Sequence, residues 1–74
     1  MTVTKEEIDA RFTYHPPLNQ GQKFRYEDIR KLGRNFAEYL VVNCPDSREL
    51  SLALTKIEEA IMWANASIAR REKE

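Results

Sequence analysis

The stretch Cys44-Pro45-Asp46-Ser47-Arg48-Glu49-Leu50-Ser51-Leu52-Ala53-Leu54 decides the fold. Pro45 stops any helix arriving from the N-terminal side, because it lacks the N–H that a helix interior needs and pushes the preceding residue towards an extended conformation. Asp46 or Ser47 then offers the side-chain oxygen that opens a new helix, and Glu49 completes a reciprocal capping box if Asp46 is the cap. A reset of only a few residues between two long helical patterns forces those helices antiparallel. The expected architecture is therefore all-α: a short N-terminal helix plus an antiparallel helical hairpin, in a single domain over residues 1–74.

Downstream of the cap, Leu50, Ala53, Leu54, Ile57, Ala60, Ile61, Ala64 and Ile68 recur at three- and four-residue steps, which predicts a helix over 46–71 with one apolar face. Beside this face runs a second stripe, Leu52, Lys56, Glu59, Trp63, Ala66 and Arg70, in which an indole stands among charges. Trp and Arg are enriched at the energetic centres of interfaces, so Trp63, Leu52 and Ala66 are candidates for an oligomer contact. The alternative is that Trp63 wraps the edge of the hairpin core.

Upstream, Asn19 followed three residues later by Gln22 predicts a capped helix over 20–43. One of its faces, Ile29, Leu32, Phe36 and Leu40, is the stripe expected to meet the last helix. The other carries Tyr26, Arg30, Gly33, Ala37 and Val41. A mid-helix glycine costs about 1 kcal/mol relative to alanine, so Gly33 marks a place where another helix or a flat ligand comes close to the backbone. Residues 1–23 hold a short helix and a proline-rich strap. Thr4 with Glu7 forms a capping box, Val3 can staple to Ile8, and Ile8 and Phe12 are the expected buried points. Pro16 and Pro17 end this helix by Tyr14 and hold Tyr14 and His15 on a stiff extended path.

Twelve Lys and Arg balance twelve Asp and Glu, which leaves no global field to attract a nucleic-acid polymer or an anionic membrane. At 74 residues a lone core gives little net stability. With Cys44 and His15 the only residues of their types, neither an internal disulfide nor a structural zinc is expected to help, so oligomerisation is the remaining staple. No apolar run approaches the ~20 residues of a membrane span, and Met1 to Glu7 lacks the order of a secretory signal. A soluble intracellular protein in a reducing compartment is the expectation.

Enzymatic constellations are not evident. His15 precedes Pro16 and has no nucleophile in a recognisable motif around it, which suits a strap residue bonded to nearby backbone. Glu58 and Glu59 diverge by about 100 degrees on a helix and cannot converge on one atom. The chain does hold groups suited to a compact nucleotide: aromatic faces in Tyr14, Tyr26 and Trp63, guanidinium forks in Arg30, Arg34, Arg48 and Arg70, and a base-edge reader in Asn65. A three-element hairpin has little concavity of its own, so a pocket for such a ligand is expected between protomers. The tail Arg70-Arg71-Glu72-Lys73-Glu74 is expected to be a solvated, fraying helix end.

Three segments together resemble a known family. They are the strap Phe12-Thr13-Tyr14-His15-Pro16-Pro17, the run Tyr26 to Gly33, and above all Cys44 to Arg70. The resemblance is to the anti-CBASS protein two family of phage nucleotide sponges and its Thoeris anti-defence relatives, and it covers nearly the whole chain. It implies a homo-oligomer, a hexamer, that sequesters cyclic dinucleotides, cyclic trinucleotides and in some relatives cyclic ADP-ribose isomers without cleaving them, in the cytoplasm of the infected bacterium, with no cofactor. It points to Tyr14, His15, Pro16, Arg30, Gly33, Arg34, Ala37, Asn65 and Arg70 as ligand-binding positions. Where the family has Lys in its dinucleotide clamp, this chain offers Arg30, Arg34 or the uncharged Asn35. Two other functions stay open: a helical oligomer that inhibits a host protein by direct surface contact, and a messenger hydrolase, which the lack of a metal or acid-base constellation disfavours.

Overall fold

The computed structural model describes residues 3–72. Within them the chain forms three helices and no strand: α1 (Lys5–Phe12), α2 (Gln20–Asn43) and α3 (Arg48–Arg71). Each start follows from a side-chain cap. Thr4 Oγ1 accepts from the Glu7 N–H at 3.1 Å, Asn19 Oδ1 from the Gln22 N–H at 2.9 Å, and Ser47 Oγ from the Leu50 N–H at 3.1 Å. Ser47 rather than Asp46 therefore opens α3, two residues later than expected, and Glu49 has no box to complete. The second halves of the other two boxes are also diverted. Glu7 turns to Arg11 and Arg71, and Gln22 accepts from the Leu18 N–H rather than from that of Asn19.

α2 and α3 lie together as the hairpin, and α1 packs on α3. The result is a slab with extents of 45 × 34 × 15 Å. Its thickness is little more than that of one helix with its side chains, about 10–12 Å. A radius of gyration of 15.5 Å exceeds the roughly 11 Å of a compact chain of this length. Such a slab has faces but hardly an interior. Among the described residues, Tyr26 (7% exposed) is the one large apolar side chain that is buried, and Gln22 (2%) is the most enclosed polar one.

The rotation of α2 about its own axis differs from the expectation. Its inward line is Gln22, Tyr26, Ile29, Gly33, Ala37 and Leu40, whereas Leu32 (67% exposed) and Phe36 (54%) face out. Gly33 explains this. A Cβ placed there would stand 2.5 Å from Ile61 Cγ1 and 2.6 Å from Ile61 Cδ1, so the missing side chain is what lets α3 approach. The two helices close on the small residues, which leaves the bulkier Leu32 and Phe36 at the side. On α3, Leu50, Ala53, Leu54, Ile57, Ile61, Ala64 and Ile68 are half-buried as expected, but Ala60 is exposed, while Ala66 and Arg70 of the second stripe are half-buried. Ile8 and Phe12 of α1 are exposed rather than buried.

Long-range polar contacts tie the ends of the helices together. Glu72 receives two hydrogen bonds from the Arg25 guanidinium, one of them Nη1 to Oε2 at 2.7 Å, and a third from Gln22 Nε2 at 3.1 Å. Arg71 Nη2 donates to Glu7 Oε2 at 2.8 Å, the oxygen that Arg11 Nε also reaches at 2.7 Å. The expected frayed tail is thus a clasp at Arg71 and Glu72; Lys73 and Glu74, and Met1 and Thr2 at the other end, lie outside the described residues.

Candidate functional site

The strap leaves α1 through Thr13, whose N–H donates to the Asp9 carbonyl at 3.0 Å. His15 then folds back, and its Nε2 donates to the Ala10 carbonyl at 2.8 Å. A carbonyl only accepts, so the proton sits on Nε2, and this bond satisfies one of the carbonyls orphaned at the end of α1. The strap is pinned at its far end as well, since the Leu18 N–H donates to Gln22 Oε1 at 2.9 Å. Two prolines between two anchors give Tyr14 a fixed platform while leaving its ring exposed.

Behind that platform lies a groove of about 440 Å³ whose walls include Tyr14, His15, Pro17, Tyr26, Arg30 and Asn65, with Lys23 and Glu27 at its rim. Pro17, not Pro16, is the strap proline on its wall. Arg30, Asn65 and Ala66 are shared with an adjoining groove of about 730 Å³, lined further by Gly33, Arg34, Ala37, Met62, Trp63 and Arg70. Most of the residues singled out in the sequence therefore gather along one side of the hairpin. Leu52 and Pro16 stand apart from both grooves. The side chain of Arg34 is well exposed, and its Nε pairs with Glu38 Oε1 at 2.8 Å one turn on.

One feature of this side was not visible in the sequence. Tyr26 Oη and Asn65 Oδ1 are both buried with no hydrogen-bond partner, and both residues line the strap groove. Unpaired buried polar atoms are few in native proteins. Of the two partners expected at Gly33, a helix or a flat ligand, the structure shows the helix: Gly33 meets Ile61, so the close approach is made by α3 within the chain. At the edge, Arg70 Cζ lies 6.0 Å from the centroid of the exposed Trp63 ring, within reach of a cation–π attraction. Trp63 and Arg70 also border a third groove of about 510 Å³, with Phe12 on its α1 wall.

Chemically, this side offers aromatic faces for stacking and guanidinium forks for phosphate, with little general acid-base equipment. The carboxylates with displaced pKa values are Glu7, lowered to about 2 by Arg71 and Arg11, and Glu72, lowered to about 2 by Arg25 and Gln22, and these belong to the clasps. Among the described residues no cluster of His, Cys, Asp and Glu has the make-up of a metal site, and no helix is long and apolar enough to cross a membrane.

A comparison with protein families finds one whose description is "Acb2/Tad1, hairpin domain", matching residues 4–69. That span runs from the cap of α1 to the last turn of α3. No curated protein and no solved structure matches the chain.

Proposed function

Because the chain belongs to the Acb2/Tad1 hairpin-domain family, a family of phage anti-defence sponges rather than enzymes, we propose that it binds cyclic oligonucleotide second messengers and withholds them uncleaved from their effectors. The observation that carries this reading is the groove that unites Tyr14 on its anchored strap with Arg30 of α2 and Asn65 of α3. A base stacks on an aromatic face, a phosphate takes a guanidinium fork, and an amide reads a base edge. Those three recognition elements converge there from three separate segments.

In this reading Tyr14 stacks on a base, and Arg30 and Arg34 neutralise the phosphates of a cyclic dinucleotide. His15 and Pro16 hold the strap, Gly33 lets α3 close against α2 beneath the groove, and Ala37 keeps the wall flat where a base passes. The wider groove with Asn65 and Arg70 takes part of a larger ring, a cyclic trinucleotide or a cyclic ADP-ribose isomer. Each groove is open on one side, and a neighbouring protomer of a homo-oligomer, a hexamer in the family pattern, completes it. Trp63, Leu52 and Ala66 supply that contact. The place of action is the cytoplasm of the infected bacterium, where removal of the messenger keeps CBASS effectors silent.

The test is retention and return. The protein is mixed with cyclic di- and trinucleotides, binding is measured by calorimetry, and the complex is then heat-denatured and the nucleotide analysed. The expected result is submicromolar binding of at least one messenger and recovery of the intact cyclic compound. Linear product would identify a hydrolase, and absence of uptake across the panel would favour inhibition by surface contact.

A further inference from the structure

Tyr26 and Asn65 each end in an oxygen that is buried and has no hydrogen-bond partner, not even the other. The Tyr26 side chain is 7% exposed, and Asn65 is half-buried. They come from different helices, α2 and α3, yet both stand on the wall of the strap groove. Buried polar atoms without a partner are few in native proteins, and each costs the fold its desolvation. A phenylalanine would fill the place of Tyr26 without that cost, so packing alone gives no reason for the hydroxyl.

We infer that Tyr26 Oη and Asn65 Oδ1 are the base-selecting pair of the strap groove, and that the base they select is adenine. The inference rests on the reading of that groove as a nucleotide site.

The chemistry of the two atoms leads to adenine. An amide oxygen only accepts, so its partner must bring an N–H or O–H, whereas a phenol can donate. The ligand edge therefore carries a donor beside an acceptor. Adenine has its amino group at position 6 between two ring acceptors, N1 and N7, and presents that pair from either edge. Asn is the side chain whose amide matches this donor and acceptor together. Guanine and hypoxanthine hold a carbonyl oxygen at position 6, which sets acceptor against acceptor at Asn65. They offer N1–H instead, but from one edge only. The terminal torsion of Asn is broad, so its amide turns towards the groove at little cost.

The rest of the groove suits the same ligand. Tyr14, 83% exposed on its anchored strap, gives the ring a face to stack on. Lys23 and Arg30 outnumber Glu27 around the groove, so the phosphate that accompanies the base is attracted rather than repelled. Tyr26 thus acts on specificity from beneath the site, where Tyr14 and Arg30 are indifferent to which base is bound.

The experiment uses the full chain and calorimetry. Wild type, Tyr26→Phe and Asn65→Leu are titrated with cyclic diadenylate, cyclic diinosinate, cyclic diguanylate and the 2′-deoxy form of cyclic diadenylate. Inosinate carries the position-6 oxygen without the extra amino group of guanine. Wild type is expected to bind diadenylate about tenfold or more tighter than diinosinate, the discrimination of one good bidentate base contact. Tyr26→Phe is expected to bind diadenylate about fivefold more weakly while melting no lower than wild type, a split that a purely structural hydroxyl does not produce. Asn65→Leu should erase the preference for adenylate over inosinate. Equal wild-type binding of those two ligands, or a Tyr26→Phe that binds as wild type does, overturns the proposal and leaves the nucleotide reading standing. A loss confined to the 2′-deoxy compound also overturns it, by giving the pair to the sugar. Binding of none of the four compounds removes the nucleotide reading and the proposal together. If Asn65→Leu fails to fold, the ligand series and Tyr26→Phe decide.

Discussion

Ile61 of α3 occupies the space that a side chain on Gly33 of α2 would fill. This single relationship sets the rotation of α2, and with it which apolar residues face the hairpin and which are left outside. Gly33→Ala is therefore expected to destabilise the protein despite alanine's better helix propensity. Overpacking costs about 1–3 kcal/mol, against a propensity gain of at most about 1 kcal/mol. At about 4–8 °C per kcal/mol for a domain of this size, the melting temperature should fall by several degrees. The double variant Gly33→Ala/Ile61→Ala should lose less than the sum of the two single losses, since the two changes act on one contact. A Gly33→Ala variant that melts at or above the wild-type temperature would show that α3 does not depend on the missing side chain.

Acid should open the clasps before it touches the hairpin seam. Glu7 is held at about 2 first by its hydrogen bond from Arg71 and then by that from Arg11, and Glu72 at about 2 by Arg25 and then Gln22, against an ordinary value of 4.5. Both folded values lie below the unfolded one, so the stability they contribute is present above about pH 4.5 and is lost as the pH falls towards 2. Glu72 is exposed and Glu7 only half-buried, so added salt should weaken the same contribution. A Glu7→Gln/Glu72→Gln double variant should melt lower at pH 7 and show a flatter decline between pH 4.5 and 2, measured by thermal scans at fixed ionic strength. A wild-type curve parallel to that of the variant across this window would remove the clasps from the account.

Tyr26→Phe is expected to be tolerated. The hydroxyl is buried and unpaired, so its removal deletes a desolvated polar group and leaves the ring packing intact. The variant should melt at the wild-type temperature or up to a few degrees higher. A loss of more than about 1 kcal/mol would mean that the hydroxyl has a hydrogen-bond partner in solution.

If Arg34 takes a phosphate as proposed, Glu38 competes for it. Its Nε is engaged with Glu38, in a pair so exposed that it is worth well under 1 kcal/mol. Glu38→Gln should therefore raise affinity for a cyclic dinucleotide by no more than about threefold, while Arg34→Ala should lower it by about tenfold, the cost of one charge-assisted contact. Calorimetry at two salt concentrations checks both, and equal affinity of all three proteins would take Arg34 out of the site.

Much of the architecture was legible because it is written in local chemistry. The caps Thr4 and Asn19, the break at Pro45 and the stiff Pro16-Pro17 pair each act over three or four residues, and the ends of α2 follow directly. The direction in which α2 faces was not legible. Leu32 and Phe36 have the right spacing for a core stripe, and only the close approach of Ile61 to Gly33, across 28 residues of sequence, turns them outward. The tail was misread for a similar reason. Arg71 and Glu72 look like solvated helix-end charges until α1 and α2 bring Glu7 and Arg25 beside them. For the site, residue type pointed to Tyr14, Arg30 and Asn65. The orphaned Oη of Tyr26 and Oδ1 of Asn65 had no sequence signal, because satisfaction of a buried atom is a property of packing alone.

Gln22 makes one side chain answerable to three parts of the molecule. Its oxygen holds the strap through Leu18, its nitrogen holds the end of α3 through Glu72, and its backbone sits in the first turn of α2. Because a primary amide cannot reverse its two ends without forfeiting both bonds, strap and tail act as the two pans of one balance. The end of α3 and the loop that carries Tyr14, far apart along the sequence, are joined through a single carboxamide.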